Sequence, residues 1–359
     1  MGTQRKKIRV AALTSSRNDP TARFRFRQHI AVLDKYCVEV TEHCPAFNQL
    51  ARLPGKLSNI RTRYIPPILC AQMLLNAFLR IPGIVGTYKA DVLWLERCFI
   101  PGLDALVHLT KAPRVLDVDD AIWLMTPLGE WSAKLLTRSV DAVIAGNNYL
   151  ADWYSKYCKK IYIVPTAIDC QRFLPKQDGP KTENDFFVIG WAGSSANFKY
   201  LKLIEKPLAR FLTNHPRSKL LIVADRGPVF KLIPKSQVMF EPWMVQTEAT
   251  ILHKMDIGIM PLTDDDWTRG KCSFKMLQYM ATGIPAVVSN VGMNKEILAK
   301  GLCGFGVDNN EAWYEYLELL YSKPHLRAEL GRTGRMIAES SYSIEVISRQ
   351  LADVFRSFA

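Results

Sequence analysis

The chain has 359 residues, of which 48% are hydrophobic and 23% are charged. This length and composition exclude a disordered or repeat-built chain and predict two domains, each of about 150 to 200 residues. Lys and Arg outnumber Asp and Glu to give a net charge of +13. Such a charge favours an anionic partner, which from charge alone is a nucleic acid, a phospholipid surface or a phosphorylated small molecule.

The amino-terminal region has no pattern typical of a targeting segment. The basic residues Arg5, Lys6 and Lys7 are followed by the apolar run Ile8–Leu13, which is too short for a signal-peptide core or a membrane span. We therefore expect a cytoplasmic protein, with the inner face of the membrane as an alternative location. The eight cysteines include no CxxC pair, so we expect mostly buried thiols rather than disulfides or zinc ligands.

The first half of the chain alternates between strand and helix patterns. Phe26, Ile30 and Leu33 have helical spacing and predict a helix over 23–33. Short apolar runs predict strands at 8–13, 38–40, 92–95, 114–118, 142–145 and 161–164. This alternation predicts a parallel sheet covered by helices, and a polar stretch over 173–184 predicts the linker that follows it.

The second half repeats the same alternation. Strands are predicted at 187–191, 219–224, 238–240, 257–260 and 286–289, and helices at 200–214, 247–254 and 274–282. The predicted fold class is α/β, with two Rossmann-like doubly wound domains facing a central cleft. The predicted domains are 1–175, an acceptor-side domain, and 185–335, a nucleotide-sugar domain. A carboxyl-terminal helix over 336–359 is expected to pack back on the first domain.

The strongest local signal is the basic turn Arg269-Gly-Lys-Cys-Ser-Phe-Lys275, which opens a predicted helix. Gly270 permits close backbone approach, and Ser273 is a residue type that caps helices. Lys271 and Lys275 then lie near the amino end of the helix, a good arrangement for binding a diphosphate. The alternative is a solvated basic turn, although the helix dipole disfavours cations at that end.

The stretch Gln278-Tyr-Met-Ala-Thr-Gly-Ile-Pro-Ala-Val-Val-Ser289 resembles the Glu-Ala-Met-Ala-x-Gly-x-Pro-Val-Val signature of the family 4 glycosyltransferases, which have the GT-B fold. Other matches occur in the family's order, and the resemblance covers about 142–307. It implies a retaining transferase with a nucleotide-diphosphate sugar as donor. The implied acceptor is a glycan, a lipid-linked molecule or a small molecule, in cell-surface polysaccharide or glycoconjugate biosynthesis. It implies no tightly bound cofactor and no required metal.

The sequence departs from this family at three positions, Gly270, Gln278 and Ser194, and keeps the family's lysine at Lys199. The family's two glutamates fall at Gly270 and Gln278, and its Arg and Lys after the first strand of the second domain fall at Ser194 and Lys199. The Gln278 amide can still hydrogen-bond ribose hydroxyls. Lys271 and Lys275 are expected to supply the missing positive charge. A carboxylate for the sugar is expected from residues 264–266, or these three acids form a solvated loop.

In the first domain, three acids end the strand motif Arg114-Val-Leu-Asp-Val-Asp-Asp120. The resemblance places Asp119 where many family members have a histidine near the sugar. A metal-binding interpretation of Asp117-Val-Asp119 and a helix-capping role are the alternatives. Arg23 and Arg25, in the first strand-to-helix turn, are expected either to meet a phosphate or to be solvated.

The resemblance also assigns Glu241-Pro-Trp243 to the loop that holds the nucleobase, with a core role for Trp243 as the alternative. The full expected site has two parts. The catalytic residues are Asp119, Lys199 and Lys271. The donor-binding residues are Gly193, Ser194, Glu241, Trp243, Arg269, Gly270, Lys275 and Gln278.

Residues 50–85 combine basic and strongly apolar positions. They predict either a peripheral contact with an anionic membrane or a core-facing helix with basic flanks. Three other functions stay open: a GT-B phosphorylase or epimerase, an inactive transferase, and a basic membrane-surface or nucleic-acid binder. No RNA-recognition or zinc motif favours nucleic acid, so no nucleic-acid partner is expected.

Overall fold

The computed structural model describes residues 6–15, 17, 19–44, 74, 78–96, 107–125, 129–175 and 186–359. Its contacts divide the chain into two compact units. The first unit contains 1–167, 270–272 and 344–359, and the second contains 168–269 and 273–343. The segment 270–272 thus belongs to the first unit, whereas its neighbours in the chain belong to the second.

The first unit is built on a parallel sheet of six strands in the order β2-β1-β3-β4-β5-β6. The central strands are almost wholly buried, as expected for a parallel sheet with both faces covered. Their bounds are β1 Ile8–Leu13, β2 Val38–His43, β3 Val92–Glu96, β4 Arg114–Val118, β5 Ala142–Ala145 and β6 Ile161–Ile163.

Four α-helices of the described part of the first unit have full bounds: α1 Ile30–Lys35, α2 Gly129–Arg138, α3 Asn148–Ser155 and the carboxyl-terminal helix Ile344–Arg356. Residues 78–86 are helical as well. The carboxyl-terminal helix contributes Ile347, Leu351 and Phe355 to the same buried core as Val10 and Trp94. It is therefore part of the first unit's interior, although it follows the whole second unit in sequence.

The second unit has a parallel sheet in the order β12-β11-β10-β7-β8-β9. Its core joins Ile189, Ile222 and Ile259 of the sheet to Leu208 and Leu317 of the helices. The strand bounds are β7 Phe187–Ala192, β8 Ser218–Ala224, β9 Val238–Pro242, β10 Ile257–Met260, β11 Ala286–Ser289 and β12 Gly304–Val307.

The helices of the second unit lie between these strands in sequence, with two more at its carboxyl end. Because β-to-β connections run through them, the carboxyl ends of all six parallel strands meet at one edge of the sheet. The helix bounds are Phe198–Leu203, Glu205–Asn214, Asp266–Arg269, Phe274–Ala281, Met293–Leu298, Asn310–Ser322 and Pro324–Ile337.

The predicted α/β fold class with two parallel sheets is confirmed, but the helix predicted over 23–33 is wrong in detail. Ala22–Phe26 forms a π-helix, Arg27–His29 a 3₁₀ turn, and only Ile30–Lys35 is α-helical. The wider turn buries both Arg25 and Phe26, which are adjacent in sequence. Tertiary contacts of these two side chains therefore override the simple helical pattern.

Two further differences lie in the second unit. The helix predicted over 200–214 breaks at Ile204, so that Pro207 falls in the first turn of a new helix, where its missing N–H costs nothing. Strand Gly304–Val307 was not predicted, because its two glycines lower the strand propensity. A Cβ at Gly304 would lie 2.1 Å from the Ala286 carbonyl oxygen, so the close strand pairing needs a glycine there.

Most of the 50–85 segment lies outside the described residues, including Arg52, Lys56, Arg61 and Arg63. Its described end, at 74 and 78–85, has exposed apolar side chains at Leu74, Phe78 and Val85. Within the described ranges, no helix combines the length and the apolar character needed to cross a bilayer.

Candidate functional site

The turn after β7 is the centre of the candidate site in the second unit. The Gly193 N–H donates to the Val223 carbonyl at 2.9 Å, which continues the β7–β8 pairing past the end of the strand. The Ser194 side chain is exposed and accepts a hydrogen bond from the Ala196 N–H, so it caps the short helical turn Ser195–Asn197. Two predicted donor-binding residues, Gly193 and Ser194, thus stand at the carboxyl edge of the sheet.

Lys275 packs directly on this turn. An ideal Cβ placed on Gly193 would lie 2.4 Å from Lys275 Cε and 3.0 Å from the Trp191 ring. Lys275 Nζ lies 5.4 Å from the centre of the same ring, within the range of a cation–π contact. Lys275 belongs to the first turn of helix Phe274–Ala281. Two predicted donor-binding residues, Gly193 and Lys275, are therefore in contact in the structure.

A hydrogen-bonded network fixes the other side of the turn. The Ser195 N–H donates to Asp225 Oδ1 at 2.6 Å, and the Ser195 hydroxyl donates to Asp225 Oδ2 at 2.7 Å. Arg226 Nε donates to the Ser195 hydroxyl oxygen at 3.0 Å. Desolvation acts to raise the pKa of Asp225, but the Ser195 bonds and the Arg226 charge outweigh it, and the pKa is lowered. Sequence reasoning did not single out Asp225 or Arg226.

Helix Phe274–Ala281 is held on the sheet by Tyr279. Its hydroxyl accepts from the Ala192 N–H at 3.2 Å and donates to the Ile259 carbonyl at 3.3 Å. Burial raises the pKa of Tyr279 above its usual range, so it stays a neutral donor. Gln278, on the same helix, is 8% exposed. Sequence reasoning missed Tyr279 because a tyrosine in an apolar run is indistinguishable from an ordinary core residue.

One expectation for the start of this helix, the Ser273 cap, needs correction. Ser273 has a left-handed backbone with φ 52°. Among the described residues, its side chain makes no hydrogen bond that caps helix Phe274–Ala281. The helix begins at Phe274, so Lys271 lies outside it and does not share a helical face with Lys275. The helix start is set by the backbone of residues 270–273 rather than by a serine cap.

Arg269 forms ion pairs with two of the three acids upstream of it. Arg269 Nε lies 2.6 Å from Asp264 Oδ1, and Arg269 Nη1 lies 3.7 Å from Asp266 Oδ1. Asp265 Oδ1 accepts from the Thr268 N–H at 2.9 Å and so caps helix Asp266–Arg269. The hydrogen bond and charge of Arg269 hold the pKa of Asp264 below its usual value, although partial desolvation opposes this. Asp264 and Asp266 are thus ion-pair partners of Arg269, whereas Asp265 caps the helix, and Arg269 remains a predicted donor-binding residue.

The expected nucleobase loop follows β9. Glu241 forms an ion pair with Lys254 at 2.6 Å, and the Trp243 N–H donates to the Ala224 carbonyl at 2.9 Å. The Trp243 residue is 43% exposed, so the alternative of a core role is wrong. Lys199, the predicted catalytic lysine of this unit, is exposed and lies 4.8 Å from the centre of the Tyr200 ring.

In the first unit, Arg25 and Asp117 form a buried ion pair. Arg25 is 3% exposed and Asp117 is 1% exposed. Arg25 Nε donates to Asp117 Oδ1 at 2.7 Å, and Trp94 Nε1 donates to Oδ2 at 3.0 Å. Burial acts to lower the pKa of the Arg25 guanidinium, but the charge and hydrogen bond of the Asp117 carboxylate outweigh it. The pKa of Arg25 is therefore raised. The solvated alternative is therefore wrong for Arg25.

The arrangement favours a structural role for Asp117 over the metal-binding interpretation of Asp117-Val-Asp119. Both Asp117 carboxylate oxygens accept hydrogen bonds from protein side chains, which leaves them poorly placed as metal ligands. Among the described residues no group of three or more His, Cys, Asp or Glu side chains is arranged to hold a metal ion.

The strand-end residues Asp119 and Asp120 contact the 270–272 segment in the first unit. Asp119 Oδ2 accepts from the Thr21 hydroxyl at 3.1 Å, and its carbonyl accepts from the Cys272 thiol at 3.2 Å. Lys271 Nζ lies 3.7 Å from Asp120 Oδ1. Asn147 Nδ2 donates to the Lys271 carbonyl at 3.1 Å, which anchors the segment at the carboxyl end of β5.

Gly270 is required by this anchoring. A Cβ at residue 270 would lie 2.8 Å from Ala121 Cβ and 2.9 Å from Ala121 N. The position that the resemblance matches to a family glutamate is therefore too close to another backbone for any side chain. Cys272 is buried, and desolvation raises its thiol pKa well above the usual range, so it is unreactive at neutral pH.

Comparison with known proteins agrees with this architecture. Residues 186–323 match the family model of the glycosyl transferases group 1. A D-inositol 3-phosphate glycosyltransferase from Corynebacterium urealyticum is 22% identical over 252 residues. That match covers 63% of this chain and 57% of the relative, so the chain spans little more than half the length of this curated protein.

Solved structures show the same fold. Sucrose-phosphate synthase from Thermosynechococcus elongatus superposes with a TM-score of 0.70 at 15% identity, covering 98% of this chain and 99% of that one. HepE from Anabaena, solved in complex with UDP, gives 0.67 at 12% identity, covering 98% and 100%. WaaG, a glycosyltransferase involved in lipopolysaccharide biosynthesis, gives 0.65 at 15% identity, covering 96% and 99%.

The fold is that of the GT-B glycosyltransferases, with two α/β units each built on a parallel sheet. The prediction of a GT-B fold is thereby confirmed, and the resemblance to glycosyltransferases agrees with the family model that residues 186–323 match. The roles of individual site residues stay predictions.

Proposed function

We propose that this chain is a retaining glycosyltransferase of the family 4 type, which transfers a sugar from a nucleotide-diphosphate donor to a hydroxyl of its acceptor. The observation that carries the proposal is the packing of Lys275 on the Gly193 turn, within a glycosyl transferases group 1 domain. A cation held against a glycine turn at the carboxyl edge of a parallel sheet suits a diphosphate. HepE in complex with UDP-glucose is a structural neighbour that supports a nucleotide-sugar donor.

The reaction needs one bond broken and one formed at the same carbon. The bond from the sugar's anomeric carbon to the diphosphate oxygen breaks, and the acceptor oxygen bonds to that carbon from the same face. The acceptor proton passes to the departing phosphate oxygen. Lys275, Lys199 and Lys271 are assigned to stabilise the growing negative charge, and Asp119 to orient a hydroxyl. Donor recognition is assigned to Gln278 and to the loop at Glu241 and Trp243.

The acceptor side of the proposal is a glycan, a lipid-linked molecule or a small molecule, in cell-surface polysaccharide or glycoconjugate biosynthesis. The relationship to WaaG, involved in lipopolysaccharide biosynthesis, supports this choice. The exposed apolar side chains at Leu74, Phe78 and Val85 support a peripheral contact of the 50–85 segment with an anionic membrane.

Donor binding is tested by a thermal-shift panel of UDP, GDP, ADP and their sugars on wild type, Lys271→Ala and Lys323→Ala. A ligand at about 100 times its dissociation constant adds roughly 2.7 kcal/mol of stability. We expect one nucleotide family to shift wild type and Lys323→Ala equally and Lys271→Ala less. A wild type that no nucleotide shifts contradicts the proposed function, and an unchanged Lys271→Ala shift removes Lys271 from the site.

Transfer and its stereochemistry are tested with the donor selected by that panel. Labelled donor sugar is incubated with the enzyme and a membrane extract, and label is then measured in the lipid and aqueous fractions. Label in the lipid fraction identifies a lipid-linked acceptor. NMR of the isolated product should show the anomeric configuration of the donor, whereas an inverted configuration contradicts the retaining mechanism.

A further inference from the structure

Arg226 is a cation of the second unit that the resemblance to family 4 leaves without a role. It directly follows Asp225, the first residue after strand β8. The family's arginine after the preceding strand falls at Ser194 in this chain, so that strand's turn offers no guanidinium of its own. Arg226 is exposed, and its Nε–H donates to the Ser195 hydroxyl oxygen at 3.0 Å.

The sheet explains why these two loops meet. Strands β7 and β8 are parallel neighbours, with Ala192 opposite Val223 at their carboxyl ends. The residues after them therefore leave the same edge of the sheet side by side. Arg226 reaches the Gly193-to-Ser195 turn from the end of the adjacent strand.

The position of the guanidinium is fixed by Asp225. This carboxylate accepts both the backbone N–H and the hydroxyl proton of Ser195, at 2.6 and 2.7 Å. With its proton committed to Asp225, the Ser195 oxygen is left to accept from Arg226 Nε. The Nε bond leaves the two Nη groups of a guanidinium, with four N–H donors, in the fork geometry that matches phosphate oxygens.

The turn is thus flanked by two cations on different elements. Lys275 packs on the turn at Gly193, and Arg226 donates a hydrogen bond to the turn at Ser195. Both belong to the second unit. A diphosphate seated on the turn meets a compact ammonium from the helix and a planar guanidinium from the β8 end.

We propose that Arg226 binds the diphosphate of the nucleotide-sugar donor and replaces, from the neighbouring strand, the arginine that relatives have at the position of Ser194. Asp225 and Ser195 are its positioning residues. This inference rests on the proposed function, since it names a further donor-binding residue for the same reaction. It differs from the sequence-based expectation, which assigned the compensating charge to Lys271 and Lys275.

The first test measures binding of UDP, GDP and ADP, and of the nucleoside matching the tightest of them, by titration calorimetry or NMR. The variants are Arg226→Gln and its matched control Arg217→Gln. Arg217 directly precedes the same strand and so lies at its opposite, amino end. We expect Arg226→Gln to weaken the diphosphate about tenfold, equal to ~1.4 kcal/mol. The nucleoside should bind as in wild type, because it has no phosphate.

A second pair of variants separates a diphosphate contact from a structural role. Ser195→Ala keeps Arg226 but removes the hydroxyl that accepts its Nε–H. Arg226→Lys keeps the positive charge but lacks the two Nη groups of the guanidinium. We expect each to weaken diphosphate binding less than Arg226→Gln does, with nucleoside affinity and melting temperature unchanged. A merely structural Arg226 would instead lower the melting temperature and the affinities for nucleoside and diphosphate together.

The outcomes keep this inference distinct from the proposed function. If wild type binds none of the three diphosphates, the proposed function fails. If wild type binds one of them and Arg226→Gln binds it equally well, the proposed function stands and the role of Arg226 is overturned. Equal losses for Arg226→Gln and Arg217→Gln would show only a general charge effect and would also overturn it.

Discussion

Gly193 and Lys275 are in direct contact: residue 193 has no room for a side chain, because an ideal Cβ there would lie 2.4 Å from Lys275 Cε. The contact joins the turn after strand β7 to the first turn of helix Phe274–Ala281. The absence of a side chain at Gly193 lets Lys275 lie along the backbone of the proposed phosphate site.

Gly193→Ala should therefore displace Lys275 without unfolding the protein. The atom in the way is the far end of a flexible side chain, so we expect a small change in melting temperature and about tenfold weaker nucleoside diphosphate binding. The control is Gly227→Ala, whose new Cβ would meet the Phe240 ring at an ordinary 3.7 Å. Calorimetric titration checks both variants, and equal affinity in Gly193→Ala would show that Lys275 placement does not matter.

Restoring the family's two glutamates should destabilise the protein at position 270 but not at position 278. Gly270→Glu forces a Cβ to within 2.9 Å of the Ala121 backbone nitrogen, so we expect a lower melting temperature and less donor binding. Gln278→Glu replaces a side chain with one of the same shape and should fold normally. Melting curves with and without UDP, GDP or ADP decide this, and a Gly270→Glu variant as stable as wild type would refute the steric argument.

Removing one partner of the buried pair of Arg25 and Asp117 should strongly destabilise the first unit. Asp117→Asn leaves the Arg25 charge buried without its counter-ion, which should cost about 3–5 kcal/mol. The control is the pair of the exposed Asp353 and the half-buried Arg356, in which Asp353→Asn should cost less than about 1 kcal/mol. Urea unfolding monitored by circular dichroism measures both, and similar losses would contradict the role given to burial.

His29 should make folding stability depend on pH. Its ring is buried against the Ser348 hydroxyl, and burial together with the Arg25 charge lowers its pKa from 6.5 to about 3. Between these values the unfolded chain takes up a proton that the folded chain does not bind, so stability falls as the pH drops through this window. The expected slope from this residue is up to about 1.4 kcal/mol per pH unit.

The measurement compares unfolding free energies at several pH values in wild type, His29→Gln and His325→Gln. In His29→Gln the unfolding free energy should depend less on pH between pH 6 and 4, a window of roughly two units. This holds whatever the absolute stability of the variant. His325 is exposed, so its replacement should leave the slope near that of wild type. A slope unchanged in His29→Gln would show that His29 is not the titrating group.

Much of the fold follows from the sequence, because parallel strands buried on both faces are short apolar runs that need no tertiary information. Five strand predictions agree with the structure at both ends, including Ile257–Met260 and Ala286–Ser289. The glycine-rich strand Gly304–Val307 and the π-turn at Ala22–Phe26 were missed. The backbone of Gly304–Val307 is determined by its close pairing with Ala286, and that of Ala22–Phe26 by the ion pair of Arg25 with Asp117.

The candidate site was predictable only where one motif contains it. The basic turn and Gly193 stood out in the sequence, but the division of that turn between two units did not, because it depends on the approach of Gly270 to Ala121. Asp225, Arg226 and Tyr279 were missed as well. Their roles come from hydrogen bonds to Ser195, Ala192 and Ile259, which no local pattern encodes.

The central claim is that the second unit holds a nucleoside diphosphate against Lys275. Calorimetric titration of UDP, GDP and ADP into wild type, Lys275→Ala and Lys323→Ala tests it most directly. Lys323 ends helix Asn310–Ser322 and so lies at the amino edge of the sheet, away from the Gly193 turn. We predict tight binding of one diphosphate by wild type and Lys323→Ala, and at least about tenfold weaker binding by Lys275→Ala. Equal affinity in all three proteins, or no binding by wild type, would contradict the claim.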